Sequence, residues 1–366
     1  MAKYSFNLRP RQVPKISTKN RVIKTKIPTP QSIKIINKIK KYESSNAVQQ
    51  LPVIWDEAKN HQIFDPYGNK WIDFTSSIFV ANTGHGNSHI TKEISKYLKK
   101  PLLHSYYYPT KIRMNFLEKL INITPSYLNR AILLSAGTEA TERAIKIAKI
   151  FGKENKKKYI IAWEGNYHGK TLNAQMVSGQ YEDHKWIQKF DKNIIHLPFP
   201  YPWVLKKKNV TGKELFHIHL SNLKKKINLK EISSFFVESF QGWGAIFYPK
   251  DYIEELEKFK NKNKSLLVFD EIQAGFYRTG KLFAFEHYKV KPDLVICGKG
   301  ISGSLPLSAV IGKSQYINLD SAYTSTHGGN PIACAASLGN LKVFDDKRFH
   351  RSLKEKNKIM KNKINH

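Results

Sequence analysis

The segment LLVFDEIQAGFYRTGKLFAFEHYKVKPDLVICGKG, residues 266–300, contains the pattern that decides the fold. It holds two short apolar runs, Leu266–Phe269 and Leu294–Cys297, each of a length typical of a buried strand. The first run ends in Asp270-Glu271-Ile272-Gln273, and the second ends in Gly298-Lys299-Gly300. Polar residues and glycines directly after buried strands are typical of ligand sites in α/β domains.

Short apolar runs alternate with helical segments from about residue 111 onward. We predict further strands at Ala131–Leu134, Tyr159–Trp163, Ile194–Leu197 and Phe235–Glu238, and helices at Thr138–Phe151 and Asp251–Lys262. This alternation predicts an α/β fold around a mostly parallel sheet. Before it, we predict a smaller flanking element with a hairpin from the runs Ile54–Trp55, Ile63–Phe64 and Trp71–Phe74, the last two separated by Asp65–Asn69.

The composition describes a globular chain with an unusual charge. Its 366 residues correspond to about two domains by length. The apolar content of 41% predicts a large core. The formal net charge is +32, but only nine of the 61 basic residues are arginine and the 52 lysines are spread along the chain. Specific nucleic-acid readers favour arginine, so we expect a lysine bias and no nucleic-acid partner.

We expect a cytoplasmic protein with no membrane partner. Cys297 and Cys334 are too few for a disulfide framework and indicate a reducing compartment. No apolar run reaches the roughly 18 residues of a membrane span, and the N-terminus lacks the apolar core of a secretory signal. Residues 1–42 carry twelve basic residues, no acidic residue and four prolines, so we predict an extended basic arm with little core of its own.

A small-residue turn, Ser135-Ala136-Gly137-Thr138-Glu139-Ala140, opens one predicted helix after a strand. Free backbone N–H groups and the helix dipole suit a phosphate there, although the same residues also make an ordinary helix cap.

The glycines around Lys299 permit two interpretations. They satisfy G-x-G-x-x-G, the pattern of dinucleotide-binding turns, but residues 305–311 that follow contain a proline and predict a strand where that motif needs a helix. We therefore interpret Lys299 as the functional residue, with its glycine neighbours leaving room for a flat cofactor.

Together these residues resemble the signature of class III pyridoxal-phosphate-dependent aminotransferases, the family of 4-aminobutyrate, ornithine and ω-amino acid transaminases. The pattern is Asp270-x-x-Gln273 with Lys299 29 residues after Asp270. Supporting motifs occur in the family's order: Ser135 to Ala140, Tyr167-His168-Gly169, Glu238 with Gln241-Gly242, Gly275-Phe276-Tyr277-Arg278-Thr279-Gly280, and Thr326-His327-Gly328-Gly329-Asn330-Pro331. The resemblance spans about Trp55 to Ser337. It implies fold type I, with a large mostly parallel domain and a small domain, and pyridoxal 5'-phosphate as the cofactor.

The resemblance also implies a role for each matching residue. Lys299 is expected to bind the cofactor covalently and to move the substrate proton, and Asp270 to keep the pyridine nitrogen protonated; these are the predicted catalytic residues. Gln273 is expected to bond the cofactor's phenolic oxygen. The other predicted cofactor-binding residues are Gly137 and Thr138 at the phosphate, Tyr167 on the ring, His168, Glu238 in the site's hydrogen bonds, and Thr326, which resembles the residue that reaches the neighbouring subunit's phosphate and so implies a homodimer.

Three positions depart from the family pattern. Ser239 stands where a proline is usual, Trp243 where a gating glutamate is found, and Lys170 where an arginine often anchors a carboxylate. These departures argue against 4-aminobutyrate and ornithine as substrates. Phe79, Lys170 and Trp243 are the candidate substrate residues, and no residue is assigned to a metal.

The predicted domains are a basic arm with the first helix (1–50), the N-terminal part of a small domain (51–110), a large cofactor domain (111–325) and the start of a connection to an incomplete C-terminal small domain (326–366). Family members continue further into the domain that supplies an α-carboxylate-binding arginine. We therefore expect a C-terminally truncated chain that ends in a basic helix over Arg348–Lys363.

The expected function is ping-pong transfer of an amino group from an amine or (ω-)amino acid to a 2-oxo acid. A decarboxylase, aminomutase or racemase of the same fold is an alternative, because such enzymes share the residue types at Asp270, Gln273 and Lys299. An inactive truncated homologue or a basic interaction protein is a second alternative.

Overall fold

A computed structural model describes residues 6–44, 50–100 and 102–364 of the chain. The chain divides into two units, Met1–Ser88 and His89–His366, and each contains its own β-sheet. The first five residues of the predicted basic arm lie outside the described residues.

The first unit contains a five-stranded antiparallel sheet in the order β1-β2-β5-β4-β3. Its strands and helices are β1 (Ile16–Ser17), β2 (Val22–Ile23), α1 (Pro30–Tyr42), β3 (Glu57–Lys59), β4 (Gln62–Phe64), β5 (Lys70–Ile72) and α2 (Ser76–Phe79). The predicted hairpin is present, since β4 pairs with β5 across the Asp65–Asn69 turn. The apolar run Ile54–Trp55 precedes the first strand of this hairpin region, in which pairing begins at Glu57.

The basic N-terminal segment is more structured than the predicted arm. β1 and β2 pair with each other, and Val22 pairs with Lys70 of β5, so the segment extends the sheet. Ile23 of β2 and Ile36 of α1 are buried. Charge and proline content did not predict this pairing because backbone hydrogen bonds with a distant strand depend little on the local side chains.

The short helix α2 is a single left-handed turn, with φ between 52° and 69° from Ser76 to Phe79. Residues other than glycine adopt this conformation at a cost of about 1–2 kcal/mol each. The carboxylate of Asp73 offsets part of this cost by accepting the N–H groups of Thr75 and Ser77, both at 2.8 Å, and by bonding His85 at 2.7 Å. Although burial opposes it, hydrogen bonding from His85 and Thr75 holds the pKa of Asp73 below its usual value.

The second unit is built on a seven-stranded sheet in the order β6-β12-β11-β10-β9-β7-β8. Its strands are β6 (Arg130–Leu134), β7 (Tyr159–Trp163), β8 (Ile194–Leu197), β9 (Ile232–Glu238), β10 (Leu266–Asp270), β11 (Leu294–Cys297) and β12 (Ser308–Gly312). Only β12 runs antiparallel to its two neighbours; the other pairs are parallel, which confirms the predicted mostly parallel sheet.

Helices precede, connect and follow these strands. They are α3 (Ser88–Leu98), α4 (Lys111–Ile123), α5 (Gly137–Glu154), α6 (Leu172–Val177), α7 (Pro202–Lys208), α8 (Gly212–Lys224), α9 (Lys250–Asn263), α10 (Ser314–Ile317), α11 (Pro331–Asp345) and α12 (Lys347–Ile364). After Gly298 the chain makes a short 3-10 turn at Lys299–Ile301, so no α-helix begins at the glycines and the dinucleotide-type match is accidental, as expected. In the described ranges, none of the helices is both long and apolar enough to cross a bilayer.

Alternate residues of the central strands pack on opposite faces of this sheet. Leu267 and Phe269 of β10 belong to one core cluster, which α8 and α9 cover. Val268 lies in a second cluster on the other face, where alanines and isoleucines of α5 pack. Burial on both faces explains why the strands are continuous apolar runs instead of alternating patterns.

Phe269→Ala should strongly destabilise the second unit. The side chain is fully buried, and its ring lies 5.8 Å from that of Phe285 and 6.2 Å from that of Tyr288. Removing a buried phenyl ring costs about 3–5 kcal/mol. Urea unfolding followed by tryptophan fluorescence measures this loss. The same substitution at Phe74, which is 90% exposed, serves as the control and should change stability by less than about 0.5 kcal/mol. Equal effects at the two positions would contradict the assigned core.

Candidate functional site

The carboxyl ends of three neighbouring parallel strands form one wall of a cavity. The register pairs Asp270 at the end of β10 with Glu238 at the end of β9, and pairs Asp270 with Ile296 of β11. The cavity has a volume of about 290 Å³, at the lower end of the range typical of small-molecule sites. It is lined by Gly137, Thr138, Tyr167, His168, Gly169, Lys170, Glu238, Asp270, Ile272, Gln273 and Lys299.

Nine of these lining residues were predicted from the sequence. The structure therefore brings both predicted catalytic residues into one cavity with most of the predicted cofactor-binding residues and one of the substrate candidates, Lys170. Three predicted residues are not among those lining it. Phe79 belongs to the first unit, Trp243 is largely exposed in the loop after β9, and Thr326 lies in the loop before α11.

Asp270 is a buried carboxylate with a histidine partner. Its Oδ2 lies 2.8 Å from Nδ1 of His168, and its Oδ1 accepts the backbone N–H of Ile272 at 2.9 Å. The backbone N–H of His168 donates to the hydroxyl of Ser178 at 2.8 Å. These two hydrogen bonds fix the orientation of the Asp270 carboxylate at the cavity wall.

Lys299 has an unusual backbone conformation. Its φ is 41°, in the left-handed region that is costly for a side chain with a Cβ, and glycines flank it on both sides. Strain of this kind is found most often at functional positions. Its Nζ donates to Oε1 of Gln273 at 2.9 Å. Burial lowers the pKa of Lys299, which increases the fraction of neutral amine available as a nucleophile.

Glu238 links two sides of the cavity. Its Oε2 accepts the backbone N–H of Tyr167 and its Oε1 accepts that of Gly242, both at 3.0 Å. Gly242 packs so closely on Gln273 that an added Cβ would lie 2.3 Å from the amide nitrogen. Burial raises the pKa of Glu238 to about 7 despite these donors.

The N-terminus of α5 lines the same cavity at Gly137 and Thr138, and Gly137 lies next to Ile272 and Gly298. The N-cap is Ala136, whose side chain has no acceptor, so the first-turn N–H groups remain free for an anion. The hydroxyl of Thr138 lies 2.7 Å from that of Thr171, which itself donates to Glu142 at 2.6 Å. An 18-residue helix supplies the dipole expected at a phosphate site.

One buried acid in this region was missed by the sequence interpretation. Glu271, directly after Asp270, is fully buried and accepts the backbone N–H groups of Ala284 and Phe285, both at 2.8 Å. Burial raises its pKa to about 8. The sequence does carry a signal for it, because two consecutive acids stand at the end of a buried strand. Successive side chains of a strand point to opposite faces of the sheet, so only one of the two acids can face the cavity.

A family comparison and two kinds of similarity search give consistent results. The model of the aminotransferase class-III family matches residues 43–366. An acetylornithine aminotransferase of Clostridium acetobutylicum is 32% identical over 327 residues, which cover 87% of this chain and 79% of that protein. An alanine/serine racemase of Pyrococcus horikoshii is 29% identical, and the match covers 91% of this chain and 72% of the racemase.

Solved structures with the same architecture include an ornithine aminotransferase from Toxoplasma gondii, described with partial occupancy of pyridoxal phosphate at its active site. It superposes with a TM-score of 0.75 at 25% identity, covering 87% of this chain and 72% of that one.

The pH dependence of stability should change in Glu238→Gln. The pKa of Glu238 is about 7 in the folded protein and about 4.5 in the unfolded chain. Between these values the folded state holds a proton that the unfolded chain has released, so the free energy of unfolding falls as pH rises and levels off above about pH 7. The slope from one such proton is at most about 1.4 kcal/mol per pH unit.

Urea unfolding of the cofactor-free protein at several pH values between 5 and 8 measures this slope. Glu238→Gln should lose stability less steeply with pH than the wild type does. The control Glu154→Gln changes an exposed carboxylate and should leave the wild-type slope unchanged. Parallel curves for the wild type and Glu238→Gln would show that Glu238 is ionised in the folded protein at all these pH values.

Proposed function

Since the chain belongs to the class III aminotransferase family, whose members use pyridoxal 5'-phosphate, we propose that the cavity around Lys299 holds this cofactor and moves an amino group from an amino donor to a 2-oxo acid. The observation that carries the proposal is that Lys299, Gln273 and Asp270 line one cavity together with the N-terminus of α5.

The residues around the cavity fit the cofactor's three kinds of chemical group. A helix N-terminus without a side-chain cap suits a phosphate, a buried carboxylate suits a protonated pyridine nitrogen, and a half-buried lysine suits a carbonyl carbon. Within the described residues, the buried Nε2 of His168 has no hydrogen-bond partner. An unpaired buried polar atom beside a cavity supports a site built to hold another molecule.

We assign the cofactor contacts as follows. The backbone N–H groups of Gly137 and Thr138, with the Thr138 hydroxyl, would bind the phosphate, and Tyr167 would cover the ring. Gln273 would bond the phenolic oxygen. Asp270, oriented by His168, would hold the ring nitrogen. Glu238 would support the site through the N–H groups of Tyr167 and Gly242.

Bound pyridoxal phosphate supplies an electrophilic carbon and a ring that draws electrons away from the donor's Cα. The chain's own contribution is proton transfer and charge control. Lys299 is the base and acid, since burial lowers its pKa and Gln273 holds its Nζ. Asp270 would face the ring nitrogen, and its bonds to His168 and to the N–H of Ile272 hold its carboxylate in place.

The substrate residues are proposed from Lys170 and Trp243. Lys170 is exposed at the cavity wall, so its ammonium can neutralise a substrate carboxylate without the bidentate geometry of arginine. Trp243 follows Gly242, which bonds Glu238, and offers an apolar surface where relatives place a gating glutamate. Together they favour an amino donor other than 4-aminobutyrate or ornithine. Phe79 stays a substrate candidate from the sequence alone.

We propose that the protein acts as a homodimer with shared active sites. Exposed apolar side chains of the second unit, including Leu103, Tyr108 and Met114, lie on the segment that contacts the loop of Thr326. His104 of this segment bonds the carbonyl of Thr326 at 2.9 Å. A concentration of exposed apolar side chains is typical of a protein interface. In a dimer, Thr326 would reach the phosphate of the neighbouring copy.

The location and the domain limits are also proposals. Cys297 and Cys334 are both free and buried, which agrees with a reducing cytoplasm. Residues 111–325 are proposed as the large cofactor domain, with 51–110 and 326–366 contributing to the small domain.

A second candidate reaction is racemisation. The alanine/serine racemase of Pyrococcus horikoshii covers 91% of this chain at an identity close to that of the transaminases. Racemisation and transamination both need a lysine that removes the proton from Cα and an acid at the ring nitrogen, so the cavity residues do not separate the two reactions.

Lys299→Ala should abolish the visible absorption band that reports covalent binding of the cofactor. The wild type mixed with pyridoxal phosphate should develop an absorption band that the free cofactor in buffer does not have, because the ε-amino group binds it covalently. Lys291→Ala removes an exposed lysine and should keep the band. A wild type without the band would refute the proposed cofactor site.

Amino-acceptor consumption should distinguish the two reactions. With a panel of amines and amino acids, we expect consumption of 2-oxoglutarate or pyruvate equal to the oxidised donor formed. Inversion of alanine or serine without consumption of an oxo acid would instead assign the chain to racemisation. Enantiomer-resolving chromatography of the same mixtures measures both outcomes.

A further inference from the structure

The carboxylate of Glu139 joins the phosphate end of α5 to a distant loop. Its Oε2 accepts the backbone N–H groups of Ser135 at 2.9 Å and Ala136 at 3.3 Å. Its Oε1 accepts the hydroxyl of Ser325 at 2.8 Å. One side chain in the first turn of α5 therefore holds both the turn that precedes Gly137 and a residue 186 positions later.

Ser325 is directly followed by Thr326. Ser325 is buried, and its carbonyl accepts the N–H of Gly328 at 3.1 Å, so its backbone is held in a turn. A second tie joins the same loop to α5, because the buried guanidinium of Arg143 bonds the side chain of Asp320 and, at 2.7 Å, its carbonyl oxygen. The loop that carries Thr326 is thus anchored twice on the helix that carries Gly137 and Thr138.

The carboxylate of Glu139 has two opposing effects at this helix N-terminus. A carboxylate in the first helical turn is favourable to the helix, but it repels a phosphate bound at the same N-terminus. Two backbone N–H groups and one hydroxyl surround the carboxylate, which reduces this repulsion. If Glu139 acted only through its charge, its neutralisation would tighten phosphate binding. If it acts by positioning the loop, its neutralisation weakens that binding.

We propose that Glu139 and Ser325 are positioning residues through which one helix serves two phosphate sites. The first is the site of its own subunit at Gly137 and Thr138, and the second is the site of the neighbouring copy, which Thr326 reaches. The inference rests on the proposed function, in which two copies share their active sites. Removing the Glu139–Ser325 bond in one copy should therefore weaken cofactor binding in the other.

The first experiment titrates the cofactor-free full-length protein with pyridoxal phosphate and, separately, with pyridoxal, which lacks the phosphate. Ser325→Ala should raise the Kd for pyridoxal phosphate about tenfold, the size expected for one hydrogen bond to a charged group, and leave the Kd for pyridoxal unchanged. Glu139→Gln should likewise raise the Kd for pyridoxal phosphate and leave the Kd for pyridoxal unchanged. Ser321→Ala, at an exposed serine of the same loop, is the control and should match the wild type.

Two results of this titration would overturn the inference. Tighter binding of pyridoxal phosphate by Glu139→Gln would assign Glu139 a purely electrostatic effect. Equal weakening for pyridoxal and pyridoxal phosphate would indicate a general loss of structure. Thermal melting of the cofactor-free variants gives the same control independently, and Glu139→Gln remains available if Ser325→Ala does not fold.

The second experiment tests the action on the neighbouring copy with mixed dimers. A wild-type copy is paired either with a Lys299→Ala copy or with a Lys299→Ala/Ser325→Ala copy, so the visible band reports only the wild-type site. The doubly substituted partner should raise the wild-type site's Kd for pyridoxal phosphate about tenfold. If the wild-type site binds pyridoxal phosphate with equal affinity in the two mixed dimers, the inference is wrong and the proposed function stands. If the wild type forms no absorption band or no dimer, the proposed function is contradicted as well.

Discussion

The parallel pairing of β9, β10 and β11 is the constraint on which the rest of the site depends. It sets Glu238 beside Asp270 and ends β11 directly before Gly298 and Lys299, so that three strands deliver their functional residues to one edge. The pairing register of these strands is well defined because both of their faces are buried. A shift by one residue would move every side chain of a strand to the other face of the sheet. In such a shifted register Glu271, and not Asp270, would face the cavity.

Burial and local hydrogen-bond donors, and not the overall charge, control the electrostatics of the site. Three acids lie at the ends of two adjacent strands: Asp270 is bonded by His168, Glu238 by two backbone N–H groups, and Glu271 by two others. Burial raises the pKa values of Glu238 and Glu271 to about 7 and 8. The lysines that produce the net charge of +32 are mostly exposed, where solvent and salt screen them. Among the cavity residues, the half-buried Lys299 interacts electrostatically with Asp270 and Glu238, and burial lowers its pKa.

Prediction from the sequence was most successful where a structural element is local. The strands at Tyr159–Trp163 and Leu294–Cys297 match the predicted ranges, because a run buried on both faces is apolar at every position. Prediction was poorer in the first unit, where the basic segment expected to be an extended arm joins a sheet. Those short strands owe their pairing to partners up to about fifty residues away, which composition and charge do not describe.

By itself the sequence determined the α/β class, the strand ends that carry chemistry, and the resemblance that assigned Lys299, Asp270 and Gln273. These depend on residue types and spacing within short segments. Only the tertiary structure decided that Asp270 has His168 as its partner and that Glu139 bonds Ser325. Those pairs are 102 and 186 residues apart, and a hydrogen bond between such residues forms only when packing brings the two side chains within about 3 Å.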